Sequence, residues 1–108
     1  MKGKINIKPL SINEAFKGRR FKTDKYQDFE TACLLMLKAE APPKPPYKIN
    51  LVFGIANVLS DFDNPVKPFV DILQKKYRFN DREIMSATIE KVKTKKGEEF
   101  IQFELISI

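Results

Sequence analysis

The segment that most constrains the fold is an apolar stretch in the middle of the chain, residues 48–56. Four large apolar side chains alternate along one face of it: Ile49, Leu51, Phe53 and Ile55. This period of two is typical of a β-strand. The other face, with Val52, Gly54 and Ala56, is also partly apolar, which indicates a strand inside a sheet rather than at its edge. Other strands are therefore expected on both sides of it.

Periodicity elsewhere supplies the remaining elements. The patterns predict strands at residues 4–8, 84–93 and 99–106, and helices at residues 24–39 and 65–77. Residues 95–97, Lys-Lys-Gly, have the composition of a hairpin turn between the last two strands. Residues 9–22, which start at a proline, fit neither period and are expected to be irregular.

The predicted fold is therefore α/β in the broad sense (α+β), with the order β-α-β-α-β-β. One mixed sheet of four strands and two helices would form a single domain over residues 1–108, a length that suits one hydrophobic core. Thr23 is the expected N-cap of the first helix. The apolar face of that helix carries Tyr26, Phe29, Cys33, Met36 and Leu37.

Composition excludes several classes of protein. The chain has no histidine, which excludes Ser-His-Asp and Cys-His catalysis and most zinc sites, so a metal site must use oxygen ligands. No apolar run approaches the roughly 18 residues that a membrane span needs. The N-terminus lacks the apolar core of a signal peptide. With a single cysteine, Cys33, we expect a reducing cytoplasm and a buried, unreactive thiol.

Basic residues outnumber acidic ones, 20 to 14, which gives a net charge of +6 and points towards a polyanionic partner. The densest basic cluster surrounds Gly18 and consists of Lys17, Arg19, Arg20 and Lys22. Arginine and lysine in such a loop can position a protein on the phosphates of a nucleic acid. The same residues are equally compatible with a solvated basic turn.

An acidic stretch follows the central strand. Asp61 and Asp63 lie two residues apart before a helix, and Lys67 falls in the first turn of that helix, where a positive charge is unfavourable. Two carboxylates can hold a hard divalent cation, and a nearby lysine can offset charge that grows on a phosphate. This combination with a basic surface suggests phosphodiester hydrolysis.

Other interpretations of the acidic stretch remain. A calcium-binding EF-hand loop is rejected, because Val66 and Ile72 occupy the positions where it needs glycine and glutamate. Asn64 is a plausible N-cap with Pro65 as the first helical residue, and Pro68 is expected to loosen or delay the first turn. Lys67, Asp71 and Lys75 could also form a solvated row of charges at four-residue spacing. The residues alone do not decide between catalysis and these alternatives.

Residues 61–73 read Asp-x-Asp-Asn-x-x-Lys-x-x-x-Asp-x-Leu, and an acidic turn followed by Ile84 comes after the helix. This pattern resembles the RusA family of Holliday junction resolvases. Residues 9–16, Pro-Leu-Ser-Ile-Asn-Glu-Ala-Phe, together with Arg19-Arg20-Phe21, resemble the N-terminal segment of phage and prophage members. The similarity spans nearly the whole chain.

The resemblance implies a magnesium-dependent endonuclease, with manganese as a possible substitute, that resolves Holliday junctions and related branched DNA as a homodimer. By motif position, Asp61, Asp63 and Asp81 would be the catalytic, metal-binding carboxylates and Lys67 the catalytic lysine. The role of Asp71 is left open. Many members carry two adjacent acidic residues where this chain has Asn80-Asp81, so Glu83 is the alternative third ligand.

Two conditions accompany this interpretation. Asp81 can approach Asp63 within one chain only if the turn after the helix doubles back, or if the helix begins late at Pro68; otherwise it would meet a site in a second subunit. A four-way junction has two equivalent strands to cut, so two cuts require two subunits related by a two-fold axis. The expected setting is the cytoplasm of a bacterial host, with a phage or prophage gene. The competing hypothesis is a non-catalytic basic DNA-binding or regulatory phage protein.

Overall fold

The apolar strand that the sequence places inside the sheet is an inner strand of the structure. The computed structural model describes residues 1–18, 21–57 and 61–108. Its strands are β1 (Lys2–Ile5), β2 (Phe16–Lys17), β3 (Phe21–Lys22), β4 (Tyr47–Ile55), β5 (Ile84–Lys93) and β6 (Phe100–Ser107). Its helices are α1 (Ile12–Ala15), α2 (Asp24–Met36) and α3 (Val66–Tyr77), with a 3₁₀ turn at Asp81–Glu83.

The main sheet has four strands in the order β1-β6-β4-β5. β4 pairs with β5 in parallel and with β6 antiparallel, so it has a neighbour on each side. β1 closes the far edge by pairing antiparallel with β6. The prediction of a mixed four-stranded sheet in an α+β domain is therefore confirmed, and the apolar character of both faces of β4 explains its place.

The predicted hairpin between β5 and β6 is wrong. A tight turn does form, since the Glu98 N–H donates to the Lys95 carbonyl (3.0 Å) and Gly97 has φ +91°. The turn, however, joins strands on opposite sides of β4, and the Thr94 N–H donates to the Ile55 carbonyl at the end of that strand (2.9 Å). Alternating patterns identify two strands but do not say whether they pair with each other or flank a third.

The segment expected to be irregular contains short regular elements. The Ser11 hydroxyl accepts from the Asn13 N–H (3.1 Å) at the start of α1, and β2 pairs with β3 as a two-stranded ribbon. Gly18 lies between these strands with φ +72°, so the turn predicted at this glycine is present. Elements of four and two residues are too short for a periodicity argument to detect.

Strand β1 begins two residues earlier than predicted and ends three residues earlier. Its pairing with β6 ends at Ile5, opposite Ile101, and β6 begins at Phe100. Residues 7 and 8 would therefore extend beyond the end of their partner strand.

Helices α2 and α3 contribute most of the apolar side chains that pack on one face of the sheet. Thr23 caps α2 as predicted, with its hydroxyl accepting from the Tyr26 N–H (3.2 Å). The buried residues of the two helices are Tyr26, Phe29, Cys33, Pro68, Phe69, Val70, Ile72, Leu73 and Tyr77. Met36, predicted to be buried, is 47% exposed, because α2 ends there and the chain turns away at Leu37. The aromatic rings of Phe53 and Phe103 pack against Phe69 at 6.3 and 5.9 Å.

Within the described ranges, no helix combines the length and the apolar character that crossing a bilayer requires. Helix α2, for example, spans 13 residues and α3 spans 12.

Candidate functional site

The acidic stretch forms consecutive backbone turns that lead into α3. The Asn64 N–H donates to the Asp61 carbonyl (3.2 Å), and the Val66 N–H donates to the Asp63 carbonyl (3.0 Å). The Asn64 carbonyl in turn accepts from the Ile12 N–H of α1 (2.8 Å). These bonds hold the acidic turn in place between α1 and α3.

Helix α3 does not begin as the sequence suggested. Pro65, rather than Asn64, occupies the capping position, and no side chain caps the helix. Pro68 neither loosens nor delays the first turn, because it is the third helical residue and the N–H that it lacks would have no acceptor inside the helix. Lys67 therefore occupies a regular first turn, where its ammonium pairs with the Asp71 carboxylate one turn later (3.1 Å).

After α3 the chain doubles back along the helix. Arg78 ends α3 in the left-handed conformation (φ 57°), and Phe79 is buried with its ring 5.5 Å from that of Tyr47. The backbone N–H of Asp81 then donates to Oε1 of Gln74, seven residues earlier (2.9 Å). Of the two ways in which Asp81 could approach Asp63 within a single chain, the turn that doubles back after the helix is therefore the one present.

Gln74 connects the two ends of the site. Its Nε2 donates to Oδ1 of Asp71 at 3.4 Å and to the Val70 carbonyl at 3.3 Å, while its Oε1 accepts from Asp81. Lys67, Asp71, Gln74 and Asp81 thus form one hydrogen-bonded series on the surface of α3. Of the predicted row Lys67–Asp71–Lys75, the first pair is present, but Lys75 pairs with Glu30 of α2 instead (2.7 Å).

Four acidic and basic side chains border one groove of about 480 Å³: Asp63, Lys67, Asp71 and Asp81. We call it the catalytic groove after the roles that the family resemblance predicts for three of them. Its apolar lining comes from α1, β4, α3 and β5, through Ile12, Ile49, Leu51, Val66, Val70, Ile84, Ala87 and Ile89. The charged residues come from the turn before α3, from the N-terminal half of α3 and from the turn that follows it. The fold therefore brings three of the four predicted catalytic residues, and Asp71, to one place.

Asp61 is the exception among the predicted carboxylates. It borders a neighbouring groove of about 340 Å³, together with Lys8, Lys96 and Glu99. Glu83, the alternative to Asp81, does not line the catalytic groove, and its carboxylate accepts from the Asn80 N–H (3.0 Å) in a capping box. This bond uses Glu83 to hold the turn, which leaves Asp81 as the better candidate.

The donor set suits a hard cation with few protein ligands. Asp63 and Asp81 are exposed carboxylates at the border of one groove. Magnesium commonly takes one or two carboxylates and completes its shell with water and substrate phosphates. Within residues 1–18, 21–57 and 61–108, no three His, Cys, Asp or Glu side chains are gathered closely enough to hold a metal by themselves. The predicted ligands Asp61, Asp63 and Asp81 are thus not gathered into one group in the described structure, and a metal held by Asp63 and Asp81 would need further ligands from water or substrate.

The predicted DNA-binding cluster is only partly visible. Arg19 and Arg20 lie outside the described residues. Lys17 is exposed on β2, and Lys22 on β3 lies 3.6 Å from the Glu30 carboxylate and 4.9 Å from the centre of the Tyr26 ring. The two described lysines therefore lie on the strands of the short ribbon, and their contact with DNA stays a prediction.

Glu30 lies between two lysines from different elements. Lys22 approaches from the ribbon and Lys75 from α3, and 16% of the Glu30 side chain is exposed. Burial acts to raise the pKa of the Glu30 carboxyl, but the hydrogen bond from Lys75 and the charge of Lys22 outweigh it, so that pKa lies below its ordinary value. Glu30 is consequently ionised at neutral pH.

Cys33 has the environment of a core residue. Its side chain is buried, and burial together with the charge of Glu30 raises the pKa of the thiol to about 12. The thiol is thus protonated at neutral pH and is no candidate nucleophile, in agreement with the sequence.

Sequence reasoning missed Gln74 and Glu30. The three-residue spacing of Asp71 and Gln74 could have suggested contact on one helix face. No local signal connects Glu30 to Lys75, which lie 45 residues apart.

Comparison with known proteins adds no family assignment: neither the scan of protein-family models nor the search of curated proteins finds a match for this chain. The functional argument therefore depends on the motif residues and on the groove that several of them border.

Proposed function

We propose that this chain is a magnesium-dependent endodeoxyribonuclease that resolves four-way and related branched DNA by phosphodiester hydrolysis. The observation that carries the proposal is the convergence of Asp63, Lys67 and Asp81 on the catalytic groove. A span of 18 residues, with a whole helix in it, separates Asp63 from Asp81. Helix capping alone could explain an acidic residue before α3, but it does not explain why Asp81 borders the same groove as Asp63.

Each side chain has a distinct proposed role. Asp63 and Asp81 would hold the cation together with oxygens of the scissile phosphate. When bound, that cation would polarise the phosphate and lower the pKa of a bound water. Lys67 would neutralise charge that grows on the phosphate oxygens, because its exposed ammonium lies at the border of the same groove. Asp71 would orient the Lys67 ammonium through their 3.1 Å pair.

Asp61 enters the proposal through the motif. Its carbonyl accepts from the Asn64 N–H and so supports the turn that carries Asp63. Because it borders the neighbouring groove, we assign the primary ligand role to Asp63 and Asp81 and a supporting role to Asp61.

The proposed assembly is a homodimer, since a single chain with one such groove can make only one of the two cuts that a four-way junction needs. Strand β5 supports this, because it is an edge strand whose only strand neighbour within the described ranges is β4. It also contributes Ile84, Ala87 and Ile89 to the catalytic groove.

The alternative function is a non-catalytic DNA-binding or regulatory protein. The net charge of +6 favours it as strongly as it favours the nuclease. The nuclease and the non-catalytic protein differ in one outcome. A non-catalytic protein binds DNA but leaves it uncut when magnesium is added.

The first prediction tests catalysis directly. Asp63→Asn removes a ligand charge at the groove, so we expect junction cleavage to fall by about two orders of magnitude or more. The assay follows a labelled four-way junction, with and without magnesium, on a denaturing gel. Asp28→Asn, the same change at an exposed position of α2, should cleave like the wild type. Undiminished cleavage by Asp63→Asn would refute the proposed metal site.

A further inference from the structure

Most residues that line a second, larger groove have no role in the proposed reaction. It has a volume of about 820 Å³ and lies between the β2–β3 ribbon, α2 and α3. We call it the lysine groove, because Lys22, Lys67 and Lys75 line it. Lys67 and Asp71 border both grooves, so the lysine groove is continuous with the catalytic one.

The lysines of this groove are already held in place. Lys22 and Lys75 both approach the Glu30 carboxylate, one to each oxygen, at 3.6 and 2.7 Å. Aromatic rings support the ammonium groups from behind: Lys22 lies 4.9 Å from the centre of the Tyr26 ring, and Lys67 lies 6.0 Å from that of Phe16. The face of an aromatic ring attracts a cation electrostatically, so these rings help to hold the ammonium groups of Lys22 and Lys67.

Glu30 occupies the place that an external anion would take. About half of each lysine side chain is exposed, 48% for Lys22 and 58% for Lys75, whereas Glu30 is only 16% exposed. The ammonium groups can therefore turn towards the groove, while the carboxylate stays between them. Because both lysines keep about half of their side chains exposed to solvent, a phosphate in the groove can compete with Glu30 for them.

We propose that the lysine groove binds backbone phosphates of the DNA strand on one side of the cut, and that Glu30 limits the affinity by competing for Lys22 and Lys75. This inference depends on the proposed function for the identity of the anion. Glu30 holds both lysines beside the groove before DNA binds. Once DNA is bound, Glu30 competes with its phosphates and so lowers the affinity. The arrangement favours release of the cut strand.

The test measures binding without cleavage. A fluorescein-labelled four-way junction is titrated in EDTA and followed by anisotropy at several salt concentrations. We expect Glu30→Gln to bind several-fold tighter, with a salt slope steeper by about one unit for each lysine that gains a phosphate. Asp28→Asn is the matched control: it makes the same charge change on α2, two residues and about 200° around the helix from Glu30.

A second variant covers the case in which Glu30→Gln fails to fold. Lys75→Gln should weaken junction binding several-fold and flatten the salt slope, whereas Lys38→Gln, at an exposed lysine beyond the end of α2, should do so less.

Equal effects of Glu30→Gln and Asp28→Asn, or of Lys75→Gln and Lys38→Gln, would overturn the inference even if the wild type cleaves. Tighter binding by Glu30→Gln with no magnesium-dependent cleavage would support the lysine groove and refute the nuclease. A wild type that does not bind DNA would refute both.

Discussion

Gln74 shows how a single neutral residue can set the geometry of a charged site. Its amide contacts the Asp71 carboxylate on one side and the Asp81 backbone on the other. Asp71 in turn holds Lys67. The position of the Lys67 ammonium relative to Asp81 is therefore set through Gln74, which itself carries no charge. We infer that Gln74 is a positioning residue.

Gln74→Leu should separate positioning from binding. With no acceptor for the Asp81 N–H, we expect kcat for junction cleavage to fall about tenfold, which corresponds to about 1.4 kcal/mol. Junction affinity in EDTA should stay nearly unchanged, because Gln74 borders the lysine groove but brings no charge to it. The control is Gln27→Leu on the exposed side of α2. A loss of thermal stability with unchanged kcat would mean that Gln74 is only structural.

The same residues show what sequence can and cannot reveal at this scale. Asp63, Lys67 and Asp81 could be selected because the motif fixes their spacing, and Cys33 could be placed in the core because it follows the helical period. Gln74 and Glu30 could not, since the bonds that matter join residues whose proximity depends on the path of the chain. The two arginines of the basic cluster, outside the described residues, stay predictions.

Among the elements, α3 and its C-terminal turn decide where Asp81 lies. The helix ends at Arg78, whose positive φ of 57° reverses the chain towards Gln74. A side chain in this left-handed conformation is unfavourable, and glycine is the usual residue at such a helix end. Here the reversal is stabilised instead by burial of Phe79 and by the capping box of Asn80 and Glu83.

Arg78→Gly should therefore stabilise the protein. Removing the side chain relieves the strain at positive φ, and we expect the free energy of unfolding to rise by about 1 kcal/mol. Chemical denaturation measures the change. Gln27→Gly, inside α2, should instead lower the free energy of unfolding by about 1 kcal/mol, as glycine does in a helix interior. Destabilisation by both variants would mean that the Arg78 side chain makes a contribution larger than the strain.

The elements themselves were largely predictable. β5 lies at the predicted residues, and α2, α3, β4 and β6 deviate mainly at their ends, because their periodicity extends over many residues. The pairing of β5 and β6 was not predictable from a turn signal. Parallel pairing of β4 with β5 is possible because α3 carries the chain back. β6 then pairs with the other side of β4, although the outer edge of β5 has no strand on it in the described residues.

On the scale of the whole molecule, β5 is the surface best suited to join two copies. It is 10 residues long, lies at the sheet edge and exposes Met85 by 67%. Its stretch from Met85 to Ile89 carries no charge. Natural edge strands are commonly protected by charges or bulges, so an uncharged stretch on an edge is suited to pairing with another chain.

The predicted dimer should depend on this edge. The wild type should have twice the 12.5 kDa mass of the chain at micromolar concentration, as measured by light scattering after gel filtration. Met85→Glu, which places a charge at the edge, should shift the mass towards the monomer. Leu35→Glu makes a matched change at another exposed apolar residue, on α2, and should leave the dimer intact. A monomeric wild type would refute the dimer, and dissociation by Leu35→Glu alone would move the interface to α2.

The pairing of β1 with β6 has a consequence for how the chain acquires its structure. Gly3 lies opposite Phe103, so these neighbouring strands are about as far apart in sequence as the chain allows. Contacts between such distant segments slow folding, because a long loop must close first. During translation, β1 and β4 leave the ribosome before the strand that lies between them in the sheet. The sheet therefore closes only after β6 is synthesised, and until then the edge of β4 that pairs with β6 is open to aggregation.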